Sequence, residues 1–268
     1  MKTTGILPTF TTVCALLLAA CSDVSPPVDA GTGGAGGAGG DAAGARVRFA
    51  HLAPEIPSAS DTKIDIRIDG DNVVEDIEFG EATAFFDLPS GEYTVSIAAA
   101  AIASYEFSAL VAPADVLTVV VYRTVANQAE DPVGALLFDG STAGLLAGNG
   151  RILIGHGANE PLLNPLNVLA TDNLATDNCP PPVIEDLFFG EVSMPIDINA
   201  ASVEVALNLT SSPECRADAA FTTTIIGDTV TIWVGVDNDT TEEAIDPTIY
   251  SISGDFSGGP IPTLDSVR

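Results

Sequence analysis

Basic side chains are scarce in this sequence. Nine lysine and arginine residues stand against 37 aspartate and glutamate residues in 268, and the formal net charge is −28. A chain of this charge is repelled by nucleic acid and by anionic lipid headgroups. Its expected partners are therefore cations, basic proteins or neutral molecules such as glycans, although the charge also serves solubility alone.

Residues that usually carry catalysis are also few. The chain has two histidines and no G-x-S-x-G, H-E-x-x-H or phosphate-binding loop motif. The segment GDFSGGP at 254–260 resembles the nucleophile turn of trypsin-like proteases, but Phe256 interrupts it. An inserted residue there would displace the oxyanion amides. We therefore expect no enzyme activity.

No apolar run after the amino end reaches the roughly 18–20 residues of a membrane helix. The amino end has the parts of a secretory signal, with Lys2, the apolar run VCALLLAA and small residues before Cys21. LAAC at 18–21 resembles the bacterial lipobox, which implies cleavage after residues 1–20 and lipidation of Cys21. An ordinary signal cleaved nearby is the alternative. Ser22 resembles the outer-membrane sorting pattern, so we expect an exported protein anchored by lipid to the cell envelope, at the outer membrane.

The segment after the cysteine is rich in glycine and alanine. Residues 22–45 contain no core-forming side chains, which is typical of a flexible linker. Such a linker spans roughly 25–30 Å on average. Residues 21–45 are therefore predicted to be a lipidated cysteine and a tether.

An internal repeat organises the rest of the chain. EDIEFGEA at 75–82 recurs as EDLFFGEV at 185–192, with five of eight residues identical. RVRFAH at 46–51 matches RILIGH at 151–156, DVLTVVV from 115 matches DTVTIWV from 228, and AEDP at 129–132 matches AIDP at 244–247. The order is preserved and the offset grows from 105 through 110 and 113 to 115. This pattern predicts a duplicated domain, with repeats at 46–150 and 151–268.

Each repeat has the pattern of short strands. KIDIRID at 63–69 and EYTVSI at 92–97 alternate polar and apolar residues, and VLTVVVY at 116–122 is nearly continuous, as in a central strand buried on both faces. Turn signals separate these runs, and no segment shows a helical period. About seven strands per 100 residues predict an all-β chain of two tandem Ig-like β-sandwich domains.

The repeated residues are predicted to be structural. The octet spans a strand end and a turn in this interpretation, with the glycines permitting an unusual backbone shape and the phenylalanines anchoring the core. The histidines lie at strand ends, facing inward, and are expected to hydrogen bond with loop backbone, with catalysis or metal ligation as alternatives. The residues concerned are His51, His156, Phe79, Gly80, Phe189 and Gly190.

A family resemblance rests on residues of the first repeat. VRFAHLAPEIPSASDTKIDIRIDG followed by IEFGEATAFFDLPSGEYTVSI resembles the bacterial domain of unknown function 4397. The second repeat departs from it, since AASVEV at 200–205 lacks the Gly-x-Tyr element. The resemblance implies a secreted, often lipid-anchored and often tandem protein, and it implies no established activity.

Two cysteines remain besides the signal and lipid positions. Cys179 and Cys215 lie where the repeat offset grows, and the first repeat has neither. In an exported protein this pairing indicates a disulfide between two loop extensions. Closing the loop would stabilise the fold by about 3–4 kcal/mol on the chain-entropy model. A metal or redox pair is the alternative.

Acidic loops are weak calcium candidates. DNDTTEE at 237–243 offers Asp237, Asp239, Glu242 and Glu243, and DGDNVVED at 69–76 is a second acidic loop. Neither follows the spacing of an EF-hand. The alternative is a solvated acidic turn, and no other cofactor is expected.

Together these features predict a non-enzymatic, lipid-anchored envelope or surface protein that acts as a binding or adhesion module. Its ligand, a protein or a glycan, is not identified by the sequence. The first alternative is a structural periplasmic spacer or assembly protein. The second is a hydrolase whose site the sequence does not display.

Overall fold

The structure is a computed structural model. It describes residues 44–54, 62–99, 102–124, 133–158, 164–171, 181–209, 219–237, 247–253 and 264–267. These residues form strands and turns with no helix, so the all-β prediction is confirmed. Among them, no helix has the length and apolarity to cross a membrane. Cys21, Cys179 and Cys215 lie outside the described residues, and their lipidation and disulfide stay predictions.

Eight strands belong to the first half and nine to the second. The first eight are β1 (Ala45–Leu52), β2 (Ile64–Ile68), β3 (Asp71–Ile77), β4 (Phe86–Leu88), β5 (Gly91–Ala99), β6 (Ile102–Val111), β7 (Val116–Arg123) and β8 (Val133–Asp139). The others are β9 (Asn149–Gly157), β10 (Leu166–Thr171), β11 (Ile184–Leu187), β12 (Ile196–Asn199), β13 (Ser202–Leu209), β14 (Ala219–Thr224), β15 (Val230–Asp237), β16 (Pro247–Ser253) and β17 (Leu264–Val267).

The strands form four sheets, two in each half. The first half contains β3-β2-β5-β6 and β4-β1-β7-β8, and the second contains β11-β10-β13-β14 and β12-β9-β15-β16-β17. In each half the first strand pairs in parallel with a strand much later in the same half. These parallel pairs are β1 with β7 and β9 with β15. The other pairings are antiparallel.

Three apolar layers hold these sheets together. One fills the first half, around Phe49 and Ile66, and one fills the second half, around Trp233 and Val168. The third joins the β1 sheet to the β9 sheet and contains residues of both halves, among them Leu136 and Ile232. The β1 and β9 sheets are therefore buried on both faces, which explains why β7 is apolar almost throughout, as predicted.

The sandwich arrangement predicted from the sequence is confirmed. Its boundaries at 46–150 and 151–268 stay a prediction, since residues Asp41–Arg268 form one compact unit. The shared middle layer was not anticipated.

The predicted alignment of β7 with β15 is wrong by one residue. Arg46 N donates to Asp115 O at 2.8 Å, and its counterpart Arg151 N donates to Thr229 O, also at 2.8 Å. Asp115 thus corresponds to Thr229 rather than Asp228, and the offset is 114 instead of 113. A slip of one residue exchanges the two faces of a strand, so burial settles the register. Most of the AEDP and AIDP match lies outside the described residues.

One cation lies in the middle layer. Arg48 is 1% exposed, and its Nε donates to Thr118 Oγ1 at 2.9 Å. Its guanidinium carbon is 4.6 Å from the centre of the Phe85 ring. Burial, with a smaller contribution from the charge of Arg46, lowers the pKa of Arg48 to about 10. The second half has Leu153 at the matching position, inside the same layer.

Candidate functional site

The repeated octet ends in the same tight turn in both halves. Glu81 N donates to Glu78 O at 3.0 Å, and Glu191 N donates to Phe188 O at 3.0 Å. The third residue of each turn is a glycine with φ near +80°, at +85° for Gly80 and +81° for Gly190. This left-handed φ is typical of a type II turn, where glycine avoids the steric cost that a Cβ brings.

The acidic residue of FGE closes this turn. Glu81 Oε2 accepts a hydrogen bond from the backbone N of Glu78 at 3.0 Å. In the second half Glu191 Oε2 accepts from the N of Phe188 at 3.1 Å. The glutamate therefore satisfies an amide that the turn leaves without a backbone partner.

The turn is fastened to the histidine strand by its backbone. Gly80 N donates to His51 O at 2.8 Å, and His51 N donates to Glu81 O at 2.9 Å. The second half repeats both bonds, from Gly190 N to His156 O at 2.7 Å and from His156 N to Glu191 O at 3.0 Å. The backbone at both histidines thus holds the octet against its sheet.

The ring of His51 has a structural role. It is fully buried, with Nε2 2.8 Å from Thr62 O and Nδ1 3.3 Å from the donating N of Ala53. Because a carbonyl only accepts, Nε2 carries the proton and Nδ1 is the acceptor. This contact with loop backbone is the role predicted for His51. His156 is 1% exposed and meets Phe189 edge to face, as His51 meets Phe79.

The octet phenylalanines connect the two halves. The ring of Phe79 lies 5.9 Å from that of Tyr250 in β16, at 77°. The ring of Phe189 lies 5.6 Å from that of Tyr122 in β7, at 81°. Edge-to-face pairs of this kind add to the energy of apolar burial. Each octet therefore packs on the other half of the molecule, which explains why the chain contains it twice.

An open groove lies beside the second octet. It consists of two adjacent cavities of about 570 and 420 Å³, which share Val183, Ile196 and Asp197 among their lining residues. The groove runs between β11 and β12, the edge strands of the two sheets of this half. It is the candidate functional site of the described chain.

The second half exposes apolar side chains at and beside the groove that the first half lacks. Met194 is 82% exposed and Phe188, beside the groove, is 47% exposed. At the matching positions, 110 residues earlier, the first half has Ala84 and Glu78. Glu78 forms an exposed ion pair with Lys63, with 3.7 Å between Oε1 and Nζ. The octet thus differs most at a position that carries an exposed aromatic ring in the second half alone.

Core packing also differs between β4 of the first half and its counterpart β12 of the second. Phe86 of β4 stacks on Phe49, with ring centres 6.0 Å apart. Ile196 and Ile154 occupy the matching positions in the second half. Smaller aliphatic side chains therefore replace the aromatic stack of the first half.

Charges along the groove are acidic apart from one ion pair. Arg151 Nε donates to Asp197 Oδ1 at 2.7 Å and its second guanidinium nitrogen to Oδ2 at 3.0 Å. The hydrogen bond from Arg151, helped by its charge and opposed by burial, lowers the pKa of Asp197. Glu185, Asp186 and Glu191 are the other carboxylates of the lining.

The calcium candidates are only partly described. Asp237 ends β15, whereas Asp239, Glu242 and Glu243 lie outside the described residues, so this loop stays a prediction. In the acidic loop at 69–76, Asp69 Oδ1 accepts a hydrogen bond from Thr94 N at 2.9 Å. Within the described part of the chain, no group of three or more His, Cys, Asp or Glu residues could hold a metal ion.

Sequence reasoning missed the groove. The apolar lining of the groove differs between the repeats at Met194 and Ile196, whereas its carboxylates recur in the first repeat. The substitutions of Glu78 by Phe188, Ala84 by Met194 and Phe86 by Ile196 were visible once the octets were aligned.

Among the comparisons with known proteins, the family model matches the first repeat and the beginning of the second. No curated protein matches the chain. One similar solved chain, described as "Alpha-glucan binding by a streptococcal virulence factor", is 10% identical with a TM-score of 0.24, over 73% of this chain and 94% of that chain. The family model of the domain of unknown function DUF4397 matches residues 45–165, from β1 through β9. Residues 45–165 are therefore similar to the DUF4397 family.

Proposed function

We propose that this chain is a non-catalytic binding protein of the bacterial cell envelope, and that it binds its ligand in the groove between β11 and β12. The observation that carries the proposal is the exposure of apolar side chains there. Met194 and Phe188 are exposed, whereas the same fold in the first half has Ala84 and Glu78 at these positions.

Exposed apolar side chains that cluster beside a groove are a feature of interaction sites, whereas single ones are common on protein surfaces. The fold itself does not require it, since the first half forms the same turn and the same strand pairs without it. The apolar residues are therefore explained by a ligand better than by stability.

The amino-terminal features set the place of action in this proposal. Lipid on Cys21 and the tether that precedes β1 would hold the β-domains close to the membrane, at the outer membrane of the envelope. The ligand is a protein or a glycan that tolerates an acidic surface, and nucleic acid is not a partner.

Photo-crosslinking in cells tests the binding site. We expect benzoylphenylalanine placed at Met194 to form an adduct with an envelope component. The same group at Leu110 or Leu146, both 70% exposed, should form no such adduct. Equal adducts at all three positions, or none at position 194, would contradict a specific site in the groove.

Protease shaving of intact cells tests the location. Peptides released from the β-domains would support display outside the cell. Protection that ends only when the outer membrane is permeabilised would support a periplasmic position. A Cys21→Ser variant released from membranes would support the anchor, whereas one retained in membranes would oppose it.

A spacer or assembly protein is the second candidate. The apolar layer shared by the two halves favours it, because a continuous core resists hinge motion between them. Loss of envelope spacing in a deletion strain, restored by a variant with Met194→Glu and Phe188→Glu, would support the spacer over the binding groove.

A further inference from the structure

The edge of β12 borders the groove. Among the strands that the structure describes, β12 is the outermost of its sheet and has β9 as its one neighbour. All four of its residues, Ile196 to Asn199, line the groove. The groove thus has a strand edge as one wall.

Backbone groups on this edge are directed into the groove. Arg151 N donates to Thr229 O, so the N–H and C=O groups of Arg151 face β15. The same groups of its neighbours Gly150 and Ile152 therefore face β12. Ala200 N donates to Gly148 O at 3.1 Å, which places the hydrogen-bonded pairs of this ladder at Ile196, Ile198 and Ala200. The N–H and C=O groups of Asp197 and Asn199 therefore face away from β9.

The first half closes the equivalent edge. Pro89 occupies the position that matches Asn199, and β4 ends one residue before it, at Leu88. Proline removes the N–H with which a further strand would pair, and it is a common protection of sheet edges. The second half keeps an N–H at this position, and it also has Ile196 in place of Phe86, whose ring stacks on Phe49 in the first half. Two independent changes thus open the same edge.

The lining indicates the chemistry of an added strand. The apolar part of the groove can receive every second side chain of an extended segment. The described lining carries the carboxylates of Glu185, Asp186 and Glu191 and no lysine or arginine, while Arg151 already pairs with Asp197. A chain of net charge −28 favours a basic partner further.

We propose that the groove binds an extended segment of a partner protein, in which basic and apolar residues alternate, as an additional strand along β12. This inference rests on the proposed binding function and specifies its ligand class. Main-chain hydrogen bonds to Asp197 and Asn199 would supply affinity, and the apolar groove and acidic rim would select the sequence.

A peptide titration of the purified full chain tests this mode of binding. The probe is a fluorescent peptide of about seven residues that alternates lysine and valine, long enough to span β12. Asn199→Pro copies the first half and removes the outward N–H without touching the ladder to β9. We expect it to weaken binding about tenfold. Ile196→Phe, which copies Phe86, should weaken binding as well by filling the groove.

Controls separate strand addition from charge attraction. A probe N-methylated at alternate residues keeps its charge but loses one hydrogen-bonding edge, and we expect it to bind poorly. Equal binding of both probes, or unchanged binding by both variants, would overturn the proposal. Circular dichroism and thermal melting of each variant confirm that it is folded, and Ile196→Phe gives an independent result if Asn199→Pro is not.

Failure of strand addition and failure of the binding site give different experimental results. If Met194 crosslinks an envelope component in cells but the alternating peptide does not bind, the groove is a binding site and strand addition is wrong. Displacement of the bound probe by neutral oligosaccharides, with no effect of Asn199→Pro, would also overturn strand addition and assign the groove to a glycan.

Discussion

Gly80 and Gly190 have the same backbone shape in different surroundings. A Cβ on Gly80 would meet nothing within 4 Å, whereas one on Gly190 would lie 3.3 Å from the hydroxyl oxygen of Tyr122. Replacement of Gly80 therefore reports backbone strain alone, and replacement of Gly190 adds crowding at the contact between halves.

We expect Gly80→Ala to lower the free energy of unfolding by about 1 kcal/mol, since alanine is strained at this φ. Gly190→Ala should lower the free energy of unfolding further, because its Cβ also crowds Tyr122. Gly91→Ala is the control, because its Cβ would meet only Tyr93 at an ordinary 3.5 Å. Urea denaturation measures all three, and a neutral Gly80→Ala would contradict the role assigned to the turn.

The pair of Arg151 and Asp197 makes stability depend on pH. Its hydrogen bonds lower the pKa of Asp197 in the folded state. The contribution is therefore complete above the unfolded pKa of about 4 and is lost as pH falls through the folded value. We expect a double-mutant cycle of Asp197→Asn and Arg151→Gln to show coupling at pH 7 that fades below about pH 4. A coupling that is constant with pH would refute this account.

At the level of elements, the second octet contains adjacent phenylalanines with opposite roles. Phe189 packs on Tyr122 and His156, whereas Phe188 is 47% exposed. We expect Phe189→Ala to lower the free energy of unfolding by about 2 kcal/mol, below the full-core value because the ring is only partly buried. Phe188→Ala should be close to neutral for folding but should weaken ligand binding. Thermal unfolding of both variants checks this, and equal destabilisation would be inconsistent with the assignment.

Strands were predictable from sequence where one period dominates. The alternation at 63–69 and the apolar run at 116–122 identify β2 and β7 correctly because burial alone determines these patterns. The parallel pairing of β1 with β7 was not predictable, since it joins segments far apart in the chain. The one-residue error at Asp228 arose because identical letters guided the alignment, while the fold is governed by which face each side chain occupies.

The candidate site was less accessible than the fold. Residues repeated in both halves, such as FGE, are required by the turn and by the contact between the halves. The second half has Ile196 and Asn199 where the first half has Phe86 and Pro89, and this difference acquires meaning only when the strand edge is known to be exposed. Sequence alone therefore locates the shared scaffold and leaves the specialised surface unassigned.

On the scale of the whole molecule, the middle apolar layer should make unfolding cooperative. Trp233, the one tryptophan, lies in the core of the second half and is 2% exposed. We expect its fluorescence and the amide hydrogen exchange of β5 and β6 in the first half to report the same unfolding free energy. A first half that exchanges well before Trp233 becomes exposed would show that the halves unfold separately.

The shared layer has a consequence for folding of the nascent chain on the ribosome. The face of the first half formed by Leu52, Val120 and Phe138 is covered by strands that include Tyr250 and Ile252. Those strands are made last, so this face meets water for roughly ten seconds at ordinary rates of translation. Aggregation is therefore expected to compete with folding of the nascent chain until the last strands have been made.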